Sequence, residues 1–311
     1  MVDVKNKLLH DLKKISEAIE QLIKDLDSTG MEIIKKGVDM TQKFGCFKSP
    51  KDTRDFLISS FLEPTTLPKS FDRTEEMTPV RSQGNEGACV GFAMTVGVKE
   101  WQEKKDYSRF ISLSPRFLYE EAKKVSGHTE GTTLRAAMEV ALKLGVCEEN
   151  YWPYVAQNIG KPQDGAYENA LKFKISTYAK ITNLDELKQA IIDPKIGTVL
   201  IGVNVYKGMM SESCKKTGVV PNPLCFDRFN VLGGHALCAV GYTDISPYFK
   251  DGHVKVKNSW GDYGDKGYLY LSYKYLQNNL LDAYSSVDID DPNEYAIMTV
   301  KDMKRKRGLW I

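Results

Sequence analysis

Helical patterns fill the middle of this chain and strand patterns follow them, without the regular alternation of strand and helix that a parallel sheet requires. Helices are predicted over residues 88–104, 114–124, 132–144 and 183–192. Strands are predicted over residues 198–205, 236–242, 253–258, 267–272 and 295–300. The order predicts an α+β fold, with a cleft where the helical half meets the β half.

Capping signals fix the start of two of these helices. Ser114 is a good N-cap, and Pro115 after it suits the first helical position because proline lacks the amide hydrogen that would be unpaired there. Asn183, with Glu186 three residues later, resembles a capping box. We therefore expect helices to begin directly after Ser114 and Asn183.

The first 66 residues have a different character from the rest. Leucine and isoleucine recur every three or four residues between positions 4 and 27, which predicts an amphipathic helix, and a second short apolar stretch covers 31–40. Residues 44–69 are rich in Gly, Pro, Ser and Thr, which is typical of an extended connector rather than of a core element. The sequence thus predicts a helical N-terminal segment joined to a larger domain.

Charge and hydropathy exclude several partners. The formal net charge of +2 is too small to indicate binding to nucleic acid or a membrane surface, and no apolar run is long enough to span a bilayer. The N-terminal residues lack the apolar centre of a signal peptide, so we expect a protein that is cytoplasmic as synthesised, although non-standard export stays open. Residues 301–311 form a basic tail, most simply read as solvated.

The six cysteines are too few for a disulfide scaffold, and none forms a C-x-x-C pair, so neither structural zinc nor another metal is expected. Cys214 and Cys225 could be bridged in an oxidising compartment. Cys147 and Cys238 stand in apolar contexts and are expected in the core. No cofactor is indicated.

One cysteine lies where its thiol would be activated. In RSQGNEGACVGFAMT, Cys89 falls in the first turn of a predicted helix, where unpaired amides and the helix dipole favour a thiolate. Gln83 lies on the preceding loop and could direct its amide to the same point. A free cysteine is usually inert, so this reading depends on partners elsewhere in the chain.

Two later motifs supply those partners. In VLGGHALCAVGY, His235 opens an apolar strand after two glycines. In VKVKNSWGDYGDKGYLYL, Asn258 ends a strand and Trp260 stands in the turn that follows. An asparagine can accept the imidazole N–H and select one tautomer, and a tryptophan can shield that hydrogen bond from water.

At these motifs the chain resembles the papain family of cysteine peptidases, in a divergent prokaryotic or viral style. The likeness runs from LPKSFDRT at residue 67 to about residue 300 and includes LSPRFLYEEA and GVCEENYWPY. It implies a two-lobed fold, with a helical left lobe and an antiparallel β-barrel-like right lobe. The implied domains are 1–66 as a helical pro-segment, 67–300 as the peptidase and 301–311 as the tail.

The resemblance also assigns roles to individual residues. It implies Cys89 as nucleophile, His235 as general base and acid, Asn258 as the residue that orients the imidazole, and Gln83 as an oxyanion-hole donor. For substrate binding it implies Gly131 beside the substrate backbone, Trp260 as the shield of the site, and Gly202 with Ala236 around the pocket for the side chain two residues before the scissile bond. The small residues of that pocket suggest space for a bulky apolar group.

The chain departs from the family pattern at two positions near the nucleophile. Glu86 stands where secreted members carry a cysteine, and Val90 replaces the usual tryptophan. The first change removes a family disulfide, as a reducing compartment would favour. Neither change removes a group with a role in the chemistry.

The function expected from these residues is that of a cysteine endopeptidase acting on protein or peptide substrates through a thioester, made as a zymogen. Residues 1–66 would be an intramolecular inhibitor, with the stretch around Cys46 crossing near Cys89; a helical arm that never covers the site is the alternative. An isopeptidase or acyl transferase with the same triad is a second function. A silent binding protein is a third, and the complete set of catalytic residue types argues against it. We expect a monomer.

Overall fold

The structure is a computed structural model that describes residues 42–53, 55–60, 62, 65–224 and 229–288. The predicted helices over 4–27 and 31–40, the strand over 295–300 and the basic tail lie outside these residues. None of the helices in the described part of the chain is long and apolar enough to cross a membrane.

Helices dominate the part of the chain that follows the first loop. The nucleophile candidate begins one continuous helix, which passes through a π-helical stretch at Ala93–Lys99 before it returns to α geometry. The α-helices are α1 (Cys89–Phe92), α2 (Glu100–Tyr107), α3 (Pro115–Ser126), α4 (Leu134–Lys143), α5 (Ala166–Ala170), α6 (Leu184–Ile192), α7 (Glu212–Thr217) and α8 (Tyr273–Asn279). Short 3-10 helices lie at Ile58–Ser60, Thr74–Glu76, Glu149–Tyr151, Leu171–Phe173 and Lys207–Met210.

One large sheet builds the second half, and it is antiparallel except where β6 pairs with β9. Its strands run β4-β10-β5-β7-β8-β9-β6, with β2 also paired to β7, while β1 and β3 form a separate parallel pair. The strands are β1 (Cys46–Phe47), β2 (Ser70–Asp72), β3 (Thr132–Thr133), β4 (Ile175–Lys180), β5 (Val199–Val205), β6 (Val219–Val220), β7 (Gly233–Thr243), β8 (His253–Lys257), β9 (Tyr268–Ser272) and β10 (Leu280–Asp288).

The capping predictions are confirmed by hydrogen bonds. The Ser114 hydroxyl accepts from the Phe117 amide at 3.0 Å, and the Asn183 side chain accepts from the Glu186 amide at 2.9 Å. The Glu186 carboxylate accepts from the Thr182 amide rather than from Asn183, so the capping box is shifted by one residue. The α+β class is confirmed by the helices and the antiparallel sheet.

The expectation of a plain connector over 44–69 is wrong in part. Cys46 and Ile58 are buried, and residues 46–47 form a strand. The predicted helix over 132–144 begins later, at Leu134, because Thr133 is its N-cap and residues 132–133 pair with β1. The cause in both cases is pairing between distant parts of the chain, which local composition does not encode.

A close helix contact positions the nucleophile candidate. Helix α1 packs against α3, and a Cβ atom on Gly91 would lie 2.8 Å from both the Pro115 carbonyl oxygen and the Tyr119 Cβ. Distances under 3.0 Å require one of the helices to move. Glycine at position 91 therefore lets the helix that begins at Cys89 approach α3.

Gly91→Ala is expected to lower the free energy of unfolding by about 1–3 kcal/mol through overpacking, although alanine by itself favours a helix by about 1 kcal/mol. Urea unfolding of the variant in a Cys89→Ala background, which prevents self-digestion, measures the change. A midpoint equal to or above that of the parent would contradict this account of the α1–α3 contact.

Candidate active site

The thiol of Cys89 lies at the helix start and is fully buried. Burial raises the pKa of the thiol, although hydrogen bonds from the backbone amides of Ala236, Gly45, Val90 and Cys89 itself oppose that rise. Two of these amides belong to the first turn of α1, as the sequence predicts for a helix N-terminus. Ala236 follows His235 directly, so the start of β7, which carries the imidazole, lies against the thiol.

His235 is held by the two residues predicted to orient and shield it. Its Nε2 lies 2.8 Å from Asn258 Oδ1, and since a carbonyl oxygen can only accept, Nε2 carries the hydrogen. The indole of Trp260 stacks on the imidazole with ring centroids 4.4 Å apart and planes 24° apart. This tautomer leaves Nδ1 as the nitrogen that can take a proton, and no described residue hydrogen-bonds it.

Burial also sets the ionisation of the imidazole. His235 is 0% exposed, and this burial lowers its pKa to about 4, with the hydrogen bond to Asn258 opposing the change. Together with the raised pKa of the Cys89 thiol, this favours a neutral thiol beside a neutral imidazole in the structure as it stands.

Gln83 is fixed from both ends. Its Oε1 accepts a hydrogen bond from the Ser259 hydroxyl at 2.7 Å, and its Nε2 donates to the Glu86 carbonyl at 2.7 Å. The same Nε2 also donates to the carbonyl oxygen of Lys43 at 3.1 Å. The amide therefore directs one hydrogen to the loop that precedes Cys89 and the other to the carbonyl of Lys43, and the second is the one that an oxyanion could accept.

A segment that contains β1, residues 42–49, lies across this site and is called the covering strand below. The Gly45 amide reaches the Cys89 thiol, and the Gly45 carbonyl accepts from the Thr132 amide at 2.8 Å. The Phe44 ring packs edge-on to His235 and Trp260, with centroids 6.3 and 6.2 Å apart. A strand from the N-terminal part of the chain thus occupies the cleft, close to where the sequence predicts the stretch around Cys46.

The predicted pocket residues lie together. Gly202 pairs with Ala236 across β5 and β7, and a Cβ on Gly202 would come within 2.8 Å of the Cys46 sulfur. Asp282 on β10 pairs with Gly202 from the other side, and its carboxylate accepts from the Ser49 amide at 2.6 Å. The pocket therefore holds Cys46 and has an acidic residue at its edge.

Gly131 also lies against the covering strand, but its amide has another partner. The φ angle of Gly131 is +73°, a region that favours glycine, and a Cβ there would crowd the Phe47 ring and the Gly45 carbonyl. Its N–H donates to the Tyr119 hydroxyl at 2.9 Å. The backbone donor that meets the strand is the next residue, Thr132.

Sequence reasoning missed two parts of this site, Asp282 and the strand character of Cys46. Asp282 stands in LLDAYSSVD, which carries no family motif and no regular alternation of apolar and polar residues that would predict a strand. Cys147 and Cys238 are buried as predicted. Cys214 is a buried free thiol. Cys225, its suggested disulfide partner, lies outside the described residues.

Among the described residues, no cluster of three or more His, Cys, Asp or Glu side chains could hold a metal ion. The chemistry that this arrangement can perform is that of a thiol, an imidazole and amide donors: nucleophilic attack on a carbonyl and transfer of the proton.

Known proteins are similar to this chain in sequence and in fold. A protein of Acanthamoeba polyphaga mimivirus described as an uncharacterized peptidase C1-like protein is 28% identical over 288 residues, covering 81% of this chain and 89% of its own. The crystal structure of xylellain, a cysteine protease from Xylella fastidiosa, matches with a TM-score of 0.68 and 26% identity over 81% of this chain and 98% of that one.

A third similar protein is digestive procathepsin L 3 of the Tenebrio molitor larval midgut, with a TM-score of 0.58, 20% identity and coverage of 82% of this chain and 76% of that one. At that identity the likeness shows the papain-like fold alone. The family model described as papain family cysteine protease matches residues 67–287, which include all the catalytic candidates. The chain therefore belongs to the papain family of cysteine proteases.

Proposed function

We propose that this protein is a cysteine endopeptidase that cleaves peptide bonds through a thioester on Cys89 and is made as a zymogen. The observation that carries the proposal is the hydrogen bond from Gln83 Nε2 to the Lys43 carbonyl, 3.1 Å long, beside a thiol that the Gly45 amide also reaches. A backbone carbonyl of the protein's own chain thus sits where the carbonyl of a substrate would be polarised.

The chemistry follows from the donors and acceptors present. Nδ1 of His235 takes the thiol proton, the Cys89 sulfur bonds to the substrate carbonyl carbon, and the carbonyl oxygen becomes an oxyanion. Gln83 Nε2 and the Cys89 amide stabilise that oxyanion. The imidazolium then protonates the leaving amine as the C–N bond breaks, and water hydrolyses the thioester. Asn258 keeps Nε2 protonated throughout, so that Nδ1 is the nitrogen that exchanges the proton.

The covering strand resembles a substrate that lies in the wrong direction. In a substrate the polarised carbonyl belongs to the residue directly before the scissile bond, so the side chain for the Gly202 pocket belongs to the residue one place before that carbonyl. Here the polarised carbonyl belongs to Lys43, and the side chain against Gly202 is Cys46, three residues after it. The strand therefore fills the cleft with its chain direction reversed, which accounts for inhibition without cleavage.

Side-chain anchors fix the covering strand and the residues after it. The Arg135 guanidinium pairs with the Asp55 carboxylate and donates to the Pro50 carbonyl, and the Ser49 amide bonds Asp282. Lys43 and Glu130 form an exposed pair that contributes little. The buried anchors lie at residues 49–55, which follow Cys46 in the chain. Cleavage or movement of these residues would therefore release the covering strand. Proforms of similar fold, such as procathepsin L 3, support a zymogen.

Replacing Cys89 with alanine should abolish casein hydrolysis and covalent labelling by the epoxide E-64, because the sulfur is the atom that bonds the substrate. Cys147→Ala is the matched control: it removes another buried thiol and should keep both activities. His235→Ala should leave less than a few per cent of turnover. Full activity in either active-site variant would refute the mechanism, and labelling without casein cleavage would favour the isopeptidase or acyl transferase alternative.

Gly45→Ala should raise the initial rate of the uncleaved full-length chain. A Cβ at position 45 would overlap the Gly87 carbonyl, so the covering strand could no longer lie in the cleft. Initial rates on a small fluorogenic peptide measure the effect, with gels to confirm that the chain is intact. Lys51→Ala, at an exposed position nearby, is the control. Equal rates in all three proteins would rule out inhibition by this strand.

Acid should release the covering strand. His235 has a pKa of about 4 when covered, below the usual 6.5, so the covered state binds fewer protons than an open, hydrated state. The contribution of His235 to the stability of the covered state is therefore fully present above pH 6.5 and is lost as the pH falls towards 4. Over that range the equilibrium constant for opening rises by up to roughly tenfold per pH unit.

Hydrogen exchange of the Thr132 amide, which donates to Gly45, reports this opening in a Cys89→Ala background. After correction for the intrinsic pH dependence of exchange, protection should fall between pH 6.5 and 4. His235→Gln removes the titration and should flatten that profile. Protection that does not change with pH in the His235-containing protein would contradict the linkage.

A further inference from the structure

We propose that Glu86, Arg116 and Tyr154 form an ionic clip that positions the oxyanion loop, residues 82–88, for catalysis. The inference rests on the proposed function, because it concerns how Gln83 and the Cys89 amide are aimed. Glu86 lies in this loop between Gln83 and Cys89, and its backbone carbonyl accepts a hydrogen bond from the Gln83 side chain. A contact that fixes Glu86 therefore also bears on the direction of the Gln83 amide.

The centre of the clip is a two-pronged ion pair. Arg116 Nη1 lies 2.6 Å from Glu86 Oε1, and Nη2 lies 2.7 Å from Oε2. Arg116 is 0% exposed and also pairs with Glu120 one turn along α3, at 2.9 Å. Burial opposes ionisation of Glu86, but its hydrogen bonds from Arg116 and the Gln157 amide keep its pKa below the ordinary value. The carboxylate is therefore charged, and removing Arg116 would leave it largely buried without its cation, whereas removing Glu86 would leave Arg116 with Glu120 as its remaining carboxylate partner.

Tyr154 connects the ion pair to the loop backbone. Its hydroxyl oxygen lies 2.8 Å from the Gln83 carbonyl oxygen and 3.0 Å from Glu86 Oε2. The Arg116 guanidinium stacks over the tyrosine ring, 4.5 Å from its centroid. The three side chains thus contact one another and both the side chain and backbone of the loop.

The ionic clip acts on the reacting atoms through the side-chain amide of Gln83. Gln83 Nε2 donates both to the Glu86 carbonyl, at 2.7 Å, and to the Lys43 carbonyl that stands in for a substrate. A displacement of Glu86 would therefore displace or redirect the Gln83 amide. The oxyanion hole needs its donors within a few tenths of an ångström of their positions, so a small shift should lower the rate without preventing substrate binding.

If Glu86, Arg116 and Tyr154 act by positioning the oxyanion donors, their replacement should affect two reactions of the Cys89 thiol differently. Peptide hydrolysis needs the oxyanion hole. Alkylation by iodoacetamide does not: the Cys89 thiolate forms an S–C bond while the C–I bond breaks and iodide leaves, and no oxyanion forms. A change confined to oxyanion positioning should slow hydrolysis and leave alkylation unchanged.

The experiment compares Arg116→Met, Glu86→Gln and Tyr154→Phe with the full-length parent under the same casein-hydrolysis conditions, with active sites counted by E-64. We expect kcat to fall about 10- to 100-fold in Arg116→Met and Glu86→Gln, with KM and the alkylation rate changed by less than about threefold. Arg116→Lys keeps the positive charge but cannot form the two-pronged pair, so its kcat should lie between those of Arg116→Met and the parent.

Tyr154→Phe removes one hydroxyl without leaving a buried charge, so it keeps the test available if the ion-pair variants do not fold; its kcat should fall by about three- to tenfold. Lys188→Met, which breaks the pair between the buried Lys188 and the exposed Asp244 away from the loop, is the control and should keep its kcat.

Unchanged kcat in the folded variants would overturn the clip, and so would a parallel fall in hydrolysis and alkylation, which indicates general loss of structure. A parent that hydrolyses casein in a Cys89-dependent manner shows that the proposed function stands even when the clip fails.

Discussion

The close approach of the nucleophile's helix to strand β7 is the contact on which the rest of the site depends. A Cβ on Gly97 would overlap the Cys238 side chain, so glycine at this position lets the helix lie directly on the strand. Cys89 lies two turns before Gly97 on the helix, and His235 lies three residues before Cys238 on the strand. The distance between helix and strand therefore sets the distance between thiol and imidazole, and a larger residue at position 97 would separate them.

The same packing also keeps water from the site, and this determines which protonation state is stable. A helix N-terminus stabilises a thiolate, but only by a fraction of what complete desolvation costs. With Phe44 and Gly45 over the thiol and the imidazole, desolvation dominates for both groups, and the neutral pair is favoured. Once water reaches the thiol and imidazole, the amides of the first turn of α1 can stabilise a thiolate. The covering strand thus controls access and ionisation together.

Local patterns predicted the parts of the site that depend on local structure. Cys89 at a helix start, Ser114 at an N-cap and His235 at a strand start all lie where the sequence places them, because each signal involves neighbouring residues. Gln83 on the loop before the helix and Asn258 at a strand end were also singled out locally, and the family resemblance assigned their roles, although the two come together only in the fold.

The β pairing of residues 46–47 and the place of Asp282, which depend on contacts between distant parts of the chain, were not predicted. Cys46 is the clearest of these, because its stretch has the composition of a connector. It becomes a strand only because β3, far along the chain, pairs with it. Asp282 is a second case, since its partners come from the covering strand and from β5.

Gln83 shows how one residue depends on both halves of the molecule. Its carbonyl end accepts from Ser259, which follows strand β8, and its amide end is set by Glu86, which Arg116 ties to helix α3. A single rigid tie would fix the amide relative to one half only. With one tie to each half, the amide keeps its direction only while the two halves keep their relative position. The oxyanion donor is therefore sensitive to any movement that opens the cleft, whether release of the covering strand or binding of a substrate.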